Sequence, residues 1–402
     1  MSRRTVLKGF LGSAALTFVR VPPLAASSPT SSIWVTIRPQ GSSSRAAEIV
    51  FRPFPEISLD PTNFGPKAEL PIDRSQLIIT PGPGRLTKSL GSSNLDLDSQ
   101  KFNSQLLGSI GLDLKCKAFY SEALERGLRP ISFSTYGLIF RPSVHNQLKF
   151  DLSRMSTWKA RLDNLASIRK KIQPLSLGNL DGLTGLYFFS TALLAENGGL
   201  FHYQLLQGKA TLTLPKVIKT LKRMQTFLQF TNKDIARISQ DESFDRVLDG
   251  KSAMTLDWTA ILKPIDLWQA QDLAFRSFNP ISLVNPLGYE CESFSYFVHK
   301  SINSVDEPSA EISNGLFGAS HLRALSDSFP IVYFLNVKRE PQWPGLANQI
   351  ANLRSSRLLP VPSWALNMAD DDTESRVKSI LFDFIANPSD KNLTNCAKAI
   401  VG

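Results

Sequence analysis

The chain has 402 residues, of which 45 are basic and 35 acidic, for a formal charge of +10, and 42% are hydrophobic. With no long low-complexity segment, this is a globular composition, and the length suggests two domains or lobes. Cys116, Cys291 and Cys396 are an odd number spread too widely for a disulfide framework or a zinc site, so at least one thiol is free in a monomer.

Residues 1–28 read as an export signal. Ser2-Arg3-Arg4-Thr5-Val6-Leu7-Lys8 precedes a mildly apolar run from Gly9 to Val19, and Ala25-Ala26-Ser27-Ser28 supplies a small-residue exit. The run is about half the length of a bilayer crossing. The paired arginines match a twin-arginine address, by which a protein crosses the membrane already folded. No cysteine lies near the expected cut, so a soluble periplasmic protein without a lipid anchor is expected. Loss of Arg3, Arg4, Lys8 and Arg20 takes the net charge from +10 to +6. The remaining bases and acids are interspersed, and the densest basic stretches sit on helical patterns, so nucleic-acid binding is not inferred.

Ile33–Arg38 alternates like a strand, and Glu48–Phe54 is a second candidate. The Pro-rich PEISLDPTNFGP is a loop. SQLIITPGPG reads as a buried strand stopping in a Gly/Pro turn, with Thr80, Gly82 and Arg85 near its carboxyl end, where open α/β sheets bind ligands. From Thr157, an N-cap, the pattern is helical, with Trp158, Leu162, Leu165 and Ile168 or Arg169 at helical spacing. Trp158 is assigned to the core. Leu183–Glu196 is a second helix, closed by Asn197-Gly198-Gly199. Pro215 opens a third, with Val217, Ile218, Leu221, Met224, Phe227 and Leu228 on one face. Ser243–Leu248 is a short helix leading into DGKSAMTLDW, a strand that ends in Asp257 and Trp258. Helices interleaved with single short apolar strands argue α/β.

Taken together, Thr157-Trp158, AENGG at Ala195–Gly199, the strip from Gly208 to Leu228 and FDRVLDGKSAMTLDW at Phe244–Trp258 resemble bacterial extracellular solute-binding proteins. This is the sugar-binding family of ABC importers that includes maltose-binding protein. Ala123–Pro142 is similar to the family's first crossing strand, and the stretch from Phe275 to Ser301 to its return crossing. The resemblance implies a type II periplasmic-binding-protein-like fold: two α/β lobes, each a sheet flanked by helices, joined by a hinge. Residues 29–132 with 283–342 would form the N-terminal lobe, and 133–282 with 343–402 the C-terminal lobe.

It also implies a sugar or oligosaccharide ligand in the interlobe cleft, an ABC permease as membrane partner and no cofactor, in a monomer. Trp258, expected half exposed at the strand tip beside Asp257, would be a flat platform for a sugar ring; interlobe packing is the other reading. Trp364 in PVPSW occupies a similar place to a C-terminal stacking aromatic, or staples a helix start. Tyr136, on the first crossing strand, faces either cleft or core. Asn179 and Asp181, in LGNLDG before a helix, either bind ligand or cap. Tyr187 falls one residue from a family aromatic contact, with Phe188 as its rival. Tyr289 and Glu290 follow the second crossing and offer a ring and a carboxylate, or form a solvated loop.

Motifs of catalysis are lacking. His145, His202, His299 and His321 have no metal-ligand spacing, PGPGR is not a P-loop, and there is no Gly-x-Ser-x-Gly elbow. Binding without turnover is expected. A ferric-iron-binding relative would need convergent tyrosines, and the seven here include no adjacent pair. A degenerate fold serving as a structural or interaction module is the remaining alternative. Only PQGSSSRAA separates the first two strand candidates, too little for a parallel crossover, and Pro308 and Gly315 interrupt an expected helix within Ser304–Gly318.

Overall fold

The computed structural model describes residues 34–35, 77–81, 129–130, 132–150, 157–259, 265–278, 290–294, 296–300, 323, 333–334, 346, 349, 359–368 and 371–402. The export signal, the Glu48–Phe54 candidate, Arg85, Tyr289 and the Ser304–Gly318 stretch lie outside them.

The described strands form two sheets. The first has the order β1-β2-β9-β3, from Trp34–Val35 (β1), Leu77–Pro81 (β2), Arg129–Pro130 (β3) and Tyr296–Lys300 (β9). β1 runs parallel to β2, with residues 36–76 between them. That connection is ample for a parallel crossover, so the short PQGSSSRAA link need not join neighbouring parallel strands.

The second sheet is built on the nine-residue strand β4 (Ser132–Phe140). Ser134 and Thr135 pair with β8 (Glu290–Phe294), and Tyr136–Phe140 pair with β6 (Ser252–Trp258). β7 (Ala274–Ser277) and β10 (Tyr333–Phe334) also bond to β4. β5 (Gln173–Ser176) lies parallel to β6, and β11 (Leu359–Pro362) parallel to β8. One strand therefore joins segments from distant parts of the chain.

After β4 come α1 (Pro142–Leu148) and α2 (Trp158–Ile168), and the Thr157 hydroxyl accepts from Ala160 N–H at 3.1 Å as the expected cap. Trp158 packs edge-on to Phe227, 5.6 Å between centroids, with the Arg223 guanidinium over its face. Arg161 on the same helix is buried and donates to the Ser277 and Phe278 carbonyls at 2.9 and 2.5 Å, tying α2 to the end of β7.

Helix α3 (Leu183–Leu206) is the centre of the core, buried on all sides from Leu183 to Leu194, as a helix apolar all round must be. The predicted end at Asn197–Gly199 is a kink instead. Gly198 takes φ 80°, ψ 162°, which breaks the ladder, and the chain then resumes helix to Leu206. α4 (Leu214–Leu228) has Pro in its first turn and buries Val217, Leu221, Met224, Phe227 and Leu228, the predicted face. α5 runs Gln240–Leu248, starting earlier than predicted, because Ser239 and Glu242 form a reciprocal capping box. α6 (Leu267–Gln271), α7 (Asp371–Ala386) and α8 (Asp390–Val401) complete the described elements. Val377, Leu381, Phe384 and Ile385 of α7, with Leu393, Ala397 and Ile400 of α8, add to the same core. Cys396 is a buried free thiol.

Candidate ligand-binding site

β5 and β6 run parallel, and the candidate site lies at the carboxyl end of β6 and in the turn that follows β5. Tyr136 and Trp258 are register partners across β4 and β6. Their rings lie 5.0 Å apart, and Tyr187 from the first turns of α3 completes a trio, 5.9 Å from Tyr136 and 5.5 Å from Trp258. The tilted and edge-on angles, 59°, 59° and 80°, are those aromatic quadrupoles favour. Three residues singled out separately in the sequence thus converge. Phe188, the rival of Tyr187, turns instead to Phe278 at 5.5 Å.

The exposure expected of Trp258 is corrected: the residue is only 5% exposed. A strand-end ring is expected to meet water unless other elements cover it, and here Tyr136 and Tyr187 cover part of its surface.

Side chains alternate along a strand, so Asp257 leaves the opposite face of β6 from Trp258. The residue is 3% exposed, and its carboxyl Oδ1 accepts from the Gln240 side-chain amide on α5 and from Trp258 N–H at 2.6 Å. Burial pushes its pKa well above the ordinary carboxylate range, and the neighbouring Asp241 and Asp181 charges push the same way. The same face holds a buried layer of hydroxyls, with Ser243 Oγ and Thr255 Oγ1 3.3 Å apart.

Asn179 and Asp181 both serve the start of α3. Asn179 Oδ1 accepts from Gly185 N–H at 2.8 Å, and its own backbone N–H donates to the Ile235 carbonyl at 2.7 Å. Asp181 Oδ1 accepts from Leu183 N–H at 2.9 Å, and burial raises its pKa. The adjacent Gly178 is a close-approach position, since a Cβ there would collide with the Ser239 carbonyl group.

Trp364 follows β11 and is placed apart from the trio. It is 7% exposed, its ring centroid 5.8 Å from Phe189, and its N–H donates to His202 Nε2 at 3.2 Å. Ser190 Oγ accepts from the next backbone N–H, that of Ala365, at 3.3 Å. Burial lowers the His202 pKa to about 4, so the imidazole is neutral near pH 7. No spacing rule pointed to His202, because its partners Pro362 and Trp364 are some 160 positions away. Glu290 opens β8, opposite Leu359 in register. Among the described residues, no group of three or more His, Cys, Asp or Glu side chains has a metal-binding arrangement.

No protein-family model matches the sequence, and no curated protein matches it either. Solved structures do match in fold. The bacterial solute receptor AcbH, described as having an exclusive preference for β-D-galactopyranose, superposes with a TM-score of 0.73 at 13% identity, over 92% of this chain and 98% of its own. The solute-binding protein RafE in complex with raffinose gives 0.65 at 13% identity, over 92% and 99%. A sugar transporter of Bacillus licheniformis in complex with stachyose gives 0.63 at 14%, over 91% and 97%. No described helix is long and apolar enough to cross a membrane. The chain has the two-lobed α/β fold of bacterial sugar-binding solute receptors.

Proposed function

We propose that this chain is a periplasmic solute-binding protein of an ABC importer, which binds a sugar or oligosaccharide reversibly between its lobes and delivers it to a membrane permease without altering it. The observation that carries this reading is the convergence of Tyr136, Tyr187 and Trp258 at the carboxyl end of β6, in a fold shared with receptors for galactose, raffinose and stachyose. Aromatic faces pack on the C–H groups of a pyranose while polar groups take its hydroxyls.

Because the trio is buried, a ligand reaches Trp258 only when the surfaces over it part, and hinge opening between the lobes proposed above, residues 29–132 with 283–342 and 133–282 with 343–402, supplies that motion. Ligand contacts to both lobes then shift the population toward the closed form, which the permease recognises. The remaining site assignments, Trp364, Asp257, Asn179, Asp181, Tyr289, Glu290 and Arg85, belong to the same proposal as secondary contacts. So do twin-arginine export, the unanchored periplasmic location and the monomeric state.

A thermal-shift screen of the mature protein against galactose, raffinose, stachyose, xylo- and chito-oligosaccharides, amino acids and ferric citrate tests the reading. A ligand that binds only the native state must raise its melting temperature. A saturable rise for one sugar class is the expected result. A response to ferric citrate alone, or none from protein shown to be folded and ligand-free, would discard it.

A further inference from the structure

The rung that closes the β4–β6 ladder lies one residue beyond the aromatic pair and is made in part by a side chain. Thr259 N–H donates to the Thr135 carbonyl at 3.0 Å, as in a regular antiparallel pair. The reciprocal bond differs: Thr135 N–H donates to Thr259 Oγ1 at 3.0 Å, so a hydroxyl stands where a regular rung uses the carbonyl of residue 259. The same hydroxyl lies 3.2 Å from Ser134 Oγ and shares a hydrogen bond with it. All three residues are buried.

The neighbours of this rung give it its consequence. The next pair along is Tyr136 with Trp258, whose rings lie 5.0 Å apart. On the other edge of β4, Ser134 and Thr135 are the residues in register with β8. Trp258 is the last residue of β6, and its own N–H is taken by the Asp257 carboxyl. A buried N–H that loses its acceptor is costly, and a strand end meets that cost by parting until another acceptor reaches the donor. Parting at the Thr135–Thr259 rung displaces Trp258 first.

We propose that Thr259 is a positioning residue for the aromatic face: by holding Thr135 N–H and Ser134, its hydroxyl fixes the end of β6 against β4 and so sets the Trp258 ring. Its effect on affinity rests on the reading of Trp258 as a sugar platform; its effect on the ring does not.

Thr259→Val keeps the branched shape and removes the acceptor, whereas Thr259→Ser keeps the hydroxyl. Fluorine NMR of the whole protein labelled with fluorotryptophan reads the ring directly, with the Trp258 resonance assigned by its loss in Trp258→Phe. The shift of that resonance between light and heavy water grows as the ring meets solvent. It should be small in the wild type and in Thr259→Ser, and should rise in Thr259→Val toward that of the exposed Trp268, while the buried Trp364 keeps a small one. Thr259→Ala, which also lacks the acceptor, carries the test if Thr259→Val does not fold. With galactose, raffinose and stachyose as probes, affinity for whichever binds should fall about tenfold in Thr259→Val and stay within about twofold in Thr259→Ser. An unchanged Trp258 isotope shift in Thr259→Val, an equal rise at Trp364, or a Thr259→Ser that behaves as Thr259→Val does would refute the proposal. Binding of none of the three sugars would count against the sugar reading alone, and the fluorine result would still decide the role of Thr259.

Discussion

Consecutive residues at the end of β6 enter opposite environments. Trp258 joins Tyr136 and Tyr187 on one face of the sheet, where three rings pack together. Asp257 enters a polar layer on the other face with Gln240, Ser243 and Thr255, and with Asp181 and Asp241 nearby. The period of a strand makes this division unavoidable, since neighbours along it cannot share a face.

The largest effect should come from emptying the aromatic face. Trp258→Ala removes a buried indole and should cost about 3–5 kcal/mol, read by chemical denaturation. A cost under about 1 kcal/mol would mean that the ring is far less packed than its 5% exposure says.

The acidic face is broken most directly through Gly178→Ala, whose Cβ meets the Ser239 backbone at the start of α5. Overpacking there should cost about 1–3 kcal/mol. Hydrogen exchange should show the loss in α5 and the residue 177–182 turn before it spreads to α4, whereas uniform loss would deny that the two regions respond separately.

Ser239→Ala removes the capping box and should cost about 1 kcal/mol by thermal denaturation. The aromatic contacts should survive, so the near-ultraviolet circular dichroism of the folded variant should match that of the wild type.

Smallest is the outer flank of α5, where Arg246 grips Asp234 through two bonds of 3.0 and 2.6 Å. The Arg246 guanidinium holds the Asp234 pKa well below the usual carboxylate range. Its contribution is therefore present above the unfolded value near 4 and is lost as pH falls through the folded one. Both groups are substantially exposed, so Asp234→Asn should cost no more than about 1 kcal/mol at pH 7 and progressively less as pH falls below about 4. The sign is opposite to that at Asp257, and stability measured against pH separates the two carboxyls.

Local chemistry was the legible part of this molecule. The Thr157 cap, the Pro215 helix start and the Val217–Leu228 face follow from rules that act within one turn of helix, and each is found where the pattern places it. The start of α5 was equally readable in Ser239-x-x-Glu242, a signal passed over for the apolar residues after it. Tyr136, Tyr187 and Trp258 could be named one at a time, but their convergence depends on strands some 120 positions apart pairing in one register. The burial of Trp258 was beyond reach for the same reason, since what covers a strand end is decided by distant elements. The kink at Gly198 looked like a helix end because Gly-Gly commonly is one. Beyond the kink, however, Gly199 and His202 are buried, and His202 is held beneath Pro362 and Trp364.

The central claim is that the aromatic face of β6 holds a sugar. Isothermal titration of the sugar identified by screening, against the wild type, Trp258→Ala and Trp268→Ala, tests it most directly, because Trp268 is 60% exposed on α6 and serves as a matched control. The account predicts that Trp258→Ala, verified as folded, weakens binding by at least about tenfold, equivalent to about 1.4 kcal/mol, while Trp268→Ala binds as the wild type does. Unchanged affinity in folded Trp258→Ala would contradict it.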